Sequence, residues 1–427
     1  MFRTFGSAEF RAQLREWCRL YVRFVEQDSH RLAGLVSRCS HDRIQKYLNA
    51  ADSQLSRLLD ANIHGDEDYL IAWGLLKNFE TRYQASHFQP LSSAAEISLE
   101  DKRYLLVSNN ESPILRAIPD VQRFKLDNEL GDHRFLNLKY NWRPVENSTA
   151  IDYAASVALD FLLNPHQSSV RIGLSPLAEN TEMDWACDEA DRRGPAGHVP
   201  FWCCGARNES ELFERFEKVL ALARENAVSI LIFPELVMTE TLQTGLIETL
   251  VRDAFASPVV RLIVAGTRHI HADGTFSNRC TVFNHLGEVE WTQDKRQPFT
   301  LSAKEAQALF GPTCPAAFEP AKTGDGLTMR KTALGIVASP ICLDFIHDSV
   351  WEAMPAQLFL VPAMSDGLSR FRERCRQLGK KGAAALICNA SRTHPQVIYR
   401  PSKSKFQPVV TRLNELLFIV DVDIEMN

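Results

Sequence analysis

Residues 229–235 read SILIFPE, 287–295 read GEVEWTQDK and 332–345 read TALGIVASPICLDF. Each is a short run of strand character that stops beside a chemically active residue: Glu235, Lys295 and Cys342. Short apolar runs bounded by turn formers suit buried strands, and the middle run alternates as a hairpin strand does. Working outward, 208–227 carries Leu212, Phe213, Phe216, Val219, Leu220 and Leu222 on one stripe, which predicts a helix. Helical patterns recur at 241–255 and 370–385, and strand patterns at 170–175, 261–268, 278–284, 356–363, 385–391 and in the closing segment from 414. Strands and helices in turn, with a hairpin about Leu286–Gly287, mean an α/β domain with a mixed sheet. In such sheets ligands sit beyond the carboxyl ends of the strands, so a carboxylate, an amine and a thiol are delivered toward one cleft.

Upstream the grammar differs. From about 8 to 61, Phe10, Leu14, Trp17, Tyr21, Phe24 and Val25, then Leu32, Leu35, Val36, Leu55 and Leu58, recur at helical spacing. Residues 66–83 read as another helix about Tyr69, Trp73, Leu76 and Phe79. The stretch 90–148 is mixed, with RYLLVSN (103–109) a candidate strand and 109–113 a turn. Residues 151–163 read as a helix stopped by Asn164–Pro165. The chain therefore divides into a mainly α-helical extension, 1–165, to which no chemistry can be given, and an α/β domain, 168–427.

Net charge is −5, so nothing global indicates a nucleic-acid or membrane footprint. Charges recur through MFRTFGSAEFRAQLREW, which leaves no apolar signal region, and no window resembles a membrane span; a cytoplasmic protein is expected. The ten cysteines are then expected as thiols. Cys187, His198, Cys203 and Cys204 invite a zinc reading, but they lack a Cys-x-x-Cys pair and adjacent cysteines ligate one ion poorly. The expectation for 181–208 is a loop with unpaired thiols and no metal. The basic run from Arg370 to Lys381 reads as the wet face of a helix, and 400–406 as a basic loop.

A thiol becomes a nucleophile by losing its proton, which a neighbouring cation favours. A carboxylate within reach takes that proton and later hands it to a leaving amine. An ammonium can hold the oxyanion between those steps. Glu235, Lys295 and Cys342 together therefore suit acyl transfer from nitrogen through a thioester, with no metal or organic cofactor.

The three blocks resemble the signature blocks of the nitrilase superfamily of carbon–nitrogen hydrolases, in the same order. Phe233–Pro234–Glu235 resembles its glutamate block, Lys295 in WTQDKRQPF its lysine block, and Ile341–Cys342–Leu343–Asp344 its cysteine turn, with Leu in an aromatic slot. AGTRHIHADGTFSNRCTVFNHLGEVEW, LFLVPAMSDG and ALICNAS resemble the flanking strands, so the likeness runs from Ser168 to Asn427. It implies a four-layer α/β/β/α sandwich, a small amide or carbamoyl substrate, an oxyanion hole of Lys295 and the Leu343 backbone N–H, and a homodimer. It also implies a second glutamate after the lysine, for which Glu305 is the nearest candidate. Asp344 is expected to bond nearby backbone N–H groups. The chain departs from the pattern at 345–348, at VIYRPSKSKFQPV and in the long segment 181–208, all of which bear on substrate. A second reading is a binding or effector module that docks a protein partner through 1–165. Nitrilase-like domains accompany reverse transcriptases in some bacterial antiviral systems.

Overall fold

The computed structural model of the chain describes residues 8–39, 46–47, 53–60, 65–86, 96–99, 102–108, 140–145, 150–156, 168–191, 194, 197–254, 260–272, 275–320, 324, 326–347, 356–380, 383–391, 397–399, 410–412 and 415–424. Two sheets dominate. The first has seven strands in the order Val289–Asp294, Thr275–Asn284, Leu262–Ala272, Ile230–Ile232, Ser169–Leu174, Phe418–Asp423 and Val410–Arg412. Its three central strands run parallel and its flanks antiparallel. The second has six: Val397–Tyr399, Ala384–Asn389, Leu358–Ala363, Gly335–Ala338, Gly326–Thr332 and Ala150–Ala155.

Side-chain alternation sorts these strands into layers. Ile230, Ile232 and Val264 share one core with Met329, Ile336 and Leu360 of the second sheet. Leu231, Ile263 and Phe283 point the other way, onto Phe216, Leu220 and Leu246. Those residues belong to the helices Glu209–Glu225 and Glu240–Asp253. Helix Ser369–Lys380 covers the second sheet with Phe371, Cys375 and Leu378. The result is the four-layer α/β/β/α sandwich expected from the sequence, each buried Leu or Ile contributing about 1.5–3 kcal/mol. The helix ends follow local chemistry. Asn208 caps Glu209–Glu225 by accepting from the Glu211 N–H at 3.3 Å, with Glu209 and Glu211 in the first turn and Arg224 in the last.

The extension has its own core. Helices Ala8–Tyr21, Ser29–Ser37, Ser53–Asp60 and Asp66–Ser86 accompany an antiparallel sheet of Glu96–Leu99, Lys102–Ser108 and Tyr140–Val145. Trp17 stacks on Phe79 at 6.0 Å and meets Trp142 edge-on at 5.7 Å. The candidate strand at 103–109 is a strand over Lys102–Ser108; the turn at 109–113 and the Asn164–Pro165 stop lie outside the described residues.

Two expectations need correcting. Ala150–Ala155, read as the start of a helix, is a strand parallel to Gly326–Thr332 with Ile151 opposite Leu327. The short run fits either period, and pairing to a sheet edge decides it, with Asp152 bonded to Arg330 at 2.7 Å. The α/β unit thus draws one strand from upstream of residue 165. The segment 181–208, read as a loop, contains the antiparallel strands Met183–Cys187 and Val199–Ala206. These join Ala317–Phe318 and Thr300–Leu301 in a four-stranded sheet that packs with helix Ala303–Phe310 around Phe201, Leu301 and Ala306. Among the described residues no helix is long and apolar enough to cross a membrane.

Candidate active site

Glu235 leaves strand Ile230–Ile232 through Phe233–Pro234, and a neighbouring strand pins this exit. The Thr267 N–H donates to the Pro234 carbonyl at 3.2 Å, and Thr267 Oγ1 accepts from the Leu236 N–H at 2.9 Å. Gly266 holds φ +69° there, and a Cβ on it would stand 2.1 Å from the Pro234 carbonyl oxygen. Only glycine permits that approach. Leu236 itself is left-handed at φ 57°, so the exit is a sharp turn that aims Glu235 inward.

Lys295 follows strand Val289–Asp294, with its N–H on the Asn278 carbonyl at 2.8 Å. The side chain is 2% exposed, and Nζ donates to Glu235 Oε1 at 2.8 Å and Glu319 Oε2 at 2.7 Å. Asn278 Nδ2 bridges the same carboxylates, at 3.0 Å to Glu235 and 2.8 Å to Glu319. His269 Nε2 lies 2.9 Å from Glu319 Oε1, and its Nδ1 accepts from the Cys203 N–H at 3.0 Å. That bond puts the ring proton on Nε2, which therefore donates to Glu319. The Phe299 N–H completes the shell of Glu319 at 2.9 Å.

Cys342 sits between strand Gly335–Ala338 and the short helix Leu343–His347, in the left-handed region at φ 44°. A non-glycine residue held there is strained, and the bond from its N–H to the Pro362 carbonyl at 2.9 Å helps retain it. Asp344, fully buried, accepts from the Arg296 N–H at 3.0 Å and the Gln297 N–H at 2.7 Å. This is the backbone role expected from the sequence. It ties the cysteine turn to the residues that follow Lys295.

Burial and the Glu235 carboxylate, which the thiol also hydrogen-bonds, push the Cys342 thiol well above its ordinary value; Lys295 and a backbone hydrogen bond at Met364 only partly oppose them. The resting thiol is therefore protonated and needs a base. Burial alone would discharge Lys295, but Glu235 and Glu319 outweigh it and hold the ammonium charged. Burial likewise opposes the charge on Glu319, yet Lys295 and His269 win and leave its pKa lowered. Glu235, Lys295, Glu319 and Cys342 floor a cavity of about 500 Å³ whose walls combine apolar side chains, among them Trp185, Phe201 and Leu309, with the polar Glu305, Asp366 and Arg370.

The structure brings Glu235, Lys295 and Cys342 together, with Leu343 beside them on the cavity wall. Glu305 reaches the cavity lining, but its carboxylate closes a helix cap, bonding the Ser302 N–H at 2.8 Å and hydroxyl at 2.6 Å. The second carboxylate on Lys295 is Glu319, which the sequence reading missed, as it missed His269. One signal was available: Glu319 is the sole charged residue between Glu305 and Lys322, an isolated acid between Phe318 and Pro320.

No family model and no curated protein matches the sequence. Solved structures similar to the chain include an amidase from Nesterenkonia sp., 17% identical with a TM-score of 0.39, covering 60% of this chain and 91% of that one. Another is Nit3 of Saccharomyces cerevisiae, described as a member of branch 10 of the nitrilase superfamily, 13% identical with a TM-score of 0.40, covering 62% and 93%. A third is a mutant of the amidase from Nesterenkonia sp. AN1 that shows covalent addition of the acetamide moiety of fluoroacetamide at the active site cysteine. It is 16% identical with a TM-score of 0.40, covering 61% and 93%.

Proposed function

We propose that this chain is a cysteine-dependent hydrolase of the nitrilase superfamily, amidase-type, which cleaves a non-peptide carbon–nitrogen bond in a small amide or carbamoyl substrate. One observation carries the reading. A protonated thiol on a strained turn meets a carboxylate and a charged ammonium, all buried, at the floor of one cavity.

In this reading Glu235 takes the Cys342 proton as Sγ attacks the carbonyl carbon. Lys295 Nζ and the Leu343 N–H hold the oxyanion. Glu235 then returns the proton to the departing nitrogen, and the C–N bond breaks to leave a thioester on Cys342. Water attacks the thioester, Glu235 accepts its proton, and the acid and the thiol are released. Glu319, Asn278 and His269 act through Lys295, holding its charge and position. The apolar part of the wall, at Trp185, Phe201 and Leu309, suits an aliphatic stretch of the acyl chain. Buried charges kept in this geometry also weigh against the alternative, a catalytically silent effector module docking a partner through 1–165, because unused buried ions are costly.

The test is ammonia release from a series of primary aliphatic amides, read with intact-mass detection of an acyl adduct. Wild type should turn over at least one amide and carry the adduct on Cys342, and Cys342→Ala should do neither. Failure of the whole series, with Cys342 alkylated by iodoacetamide no faster than Cys203 or Cys314 in the folded chain, would sink the reading.

A further inference from the structure

Outside the catalytic cavity, one cluster of ligating side chains stands apart among the described residues. Cys187 ends strand Met183–Cys187, Glu189 follows in the turn, and Cys314 lies in the turn before strand Ala317–Phe318. The two thiols and a Glu189 carboxylate oxygen all lie within 4.8 Å of one another, and the Cys187 and Cys314 side chains are hydrogen-bonded. Cys314 is buried, Cys187 half-buried and Glu189 exposed, so the cluster has a dry floor and an open side through which an ion can enter.

We propose that Cys187, Glu189 and Cys314 form a zinc site, with water in the fourth position. Two thiolates and a carboxylate are a donor set that zinc accepts in tetrahedral geometry. With zinc–sulfur bonds of ~2.3 Å and zinc–oxygen bonds of ~2.0–2.2 Å, the donors of a tetrahedral site stand ~3.5–3.8 Å apart. The three atoms need to draw together by no more than ~1 Å, a scale that side-chain rotation supplies. Binding replaces the two thiol protons: Zn²⁺ gains two sulfur bonds and one oxygen bond, and two protons leave to solvent. Cys203, Cys204 and His198 take no part in this cluster. The Cys203 sulfur instead contacts the Gly205 and Leu236 carbonyls at 3.6 Å.

The placement gives the ion a consequence. Cys314 is bonded through its N–H to Gly311 and leads within five residues to Glu319, the second carboxylate on Lys295. Cys187 belongs to the hairpin whose Trp185 and Phe201 wall the cavity. Zinc would therefore cross-link the hairpin to the segment that presents Glu319. This inference does not depend on the hydrolase reading, because its test needs no substrate.

The test uses the full chain under a phosphine reductant, titrated with Co²⁺ as a spectroscopic stand-in and then with Zn²⁺. One equivalent of Co²⁺ should give intense tetrahedral d–d absorption with a thiolate charge-transfer band, and Zn²⁺ should bleach both. Cys342→Ala should keep the signal, and Cys187→Ser with Cys314→Ser should lose it. In wild type, Zn²⁺ should slow alkylation of Cys187 and Cys314 at least tenfold and leave exposed Cys204 unchanged, a readout that needs no variant to fold. A signal that survives the double substitution, no thiolate band at one equivalent, or no selective protection would each overturn the proposal.

Discussion

Glu319 Oε2 stands 2.7 Å from Lys295 Nζ, as close as the Glu235 oxygen on the other side of the same ammonium. Lys295 is thus a shared cation between two buried carboxylates, and Glu319 is the one whose remaining bonds, to His269, Asn278 and Phe299, all come from the protein frame. Glu319→Gln keeps the shape and removes the charge. It should lower kcat by about 10²-fold, the scale of one well-placed polar group in a proton-transfer or oxyanion site, with little change in KM. Glu305→Gln should leave kcat within about twofold and cost about 1 kcal/mol of stability as its helix cap weakens. Steady-state kinetics on both variants decide the matter. Loss of turnover in Glu305→Gln with retention in Glu319→Gln would reverse the assignment.

The same triad makes a prediction about pH. The Lys295 pKa is raised in the folded chain, so its stabilisation is fully present below the unfolded value of about 10.4 and fades only as pH rises through the folded value. The Glu319 pKa is depressed, so its stabilisation is present above the unfolded value of about 4.3 and is lost as pH falls through the folded value. Lys295→Met leaves two buried carboxylates without their cation. It should cost about 3–5 kcal/mol at neutral pH, and part of that deficit should vanish under mild acid as a carboxylate takes up a proton. Urea unfolding at the two pH values measures it. A deficit that stays constant would mean that the carboxylates do not feel each other.

Much of the α/β domain was legible because its code is local. SILIFPE, GEVEWTQDK and TALGIVASPICLDF each show a buried or half-buried run and the residue that ends it; the first strand ends three residues earlier than read, at Ile232, and the second begins two residues later, at Val289. The third concealed a turn: Thr332 ends one strand, and Gly335, at φ 101°, starts the next. What failed was non-local. Ala150–Ala155 is a strand because Gly326–Thr332 offers it an edge. Glu319 follows a strand of two residues, too short to show any period. Its function comes from Lys295, His269 and Asn278, none of them its chain neighbours. The pairing of Cys187 with Cys314 is invisible for the same reason.

Asp344 offers a test of how the cysteine turn is held. Its carboxylate accepts the Arg296 and Gln297 N–H groups, directly after Lys295, so it registers the Cys342 turn against Lys295 without touching the cavity floor. Asp344→Ala strands those N–H groups and should destabilise the chain by about 2–4 kcal/mol, since bonds to a charged acceptor contribute about 1.5–3 kcal/mol each before relaxation. Asp344→Asn keeps one acceptor and should recover about half of that. Chemical denaturation gives the first number, and the rate of Cys342 alkylation relative to Cys204 reports the geometry. Equal stability in all three proteins would show that solvent replaces the carboxylate at no cost.

Gly266 supplies the sharpest steric prediction. Its φ of +69° would cost any other residue about 1–2 kcal/mol, and a Cβ 2.1 Å from the Pro234 oxygen cannot be relieved by a rotamer, because the obstacle is backbone. Gly266→Ala must therefore move the Phe233–Pro234–Glu235 exit. Displacing Glu235 separates the proposed base from both Cys342 and Lys295, so turnover should fall further than stability: at least 10²-fold in kcat for a misplacement on the order of 1 Å. Gly367→Ala is the matched control, since it lines the same cavity with nothing within 4 Å of its added Cβ. A Gly266→Ala protein with normal melting and near-normal turnover would mean that the exit bends without carrying Glu235 with it. The hydrogen bonds from Thr267 to Pro234 and from Leu236 to Thr267 argue against such slack, for they clamp the turn on both sides of the carboxylate.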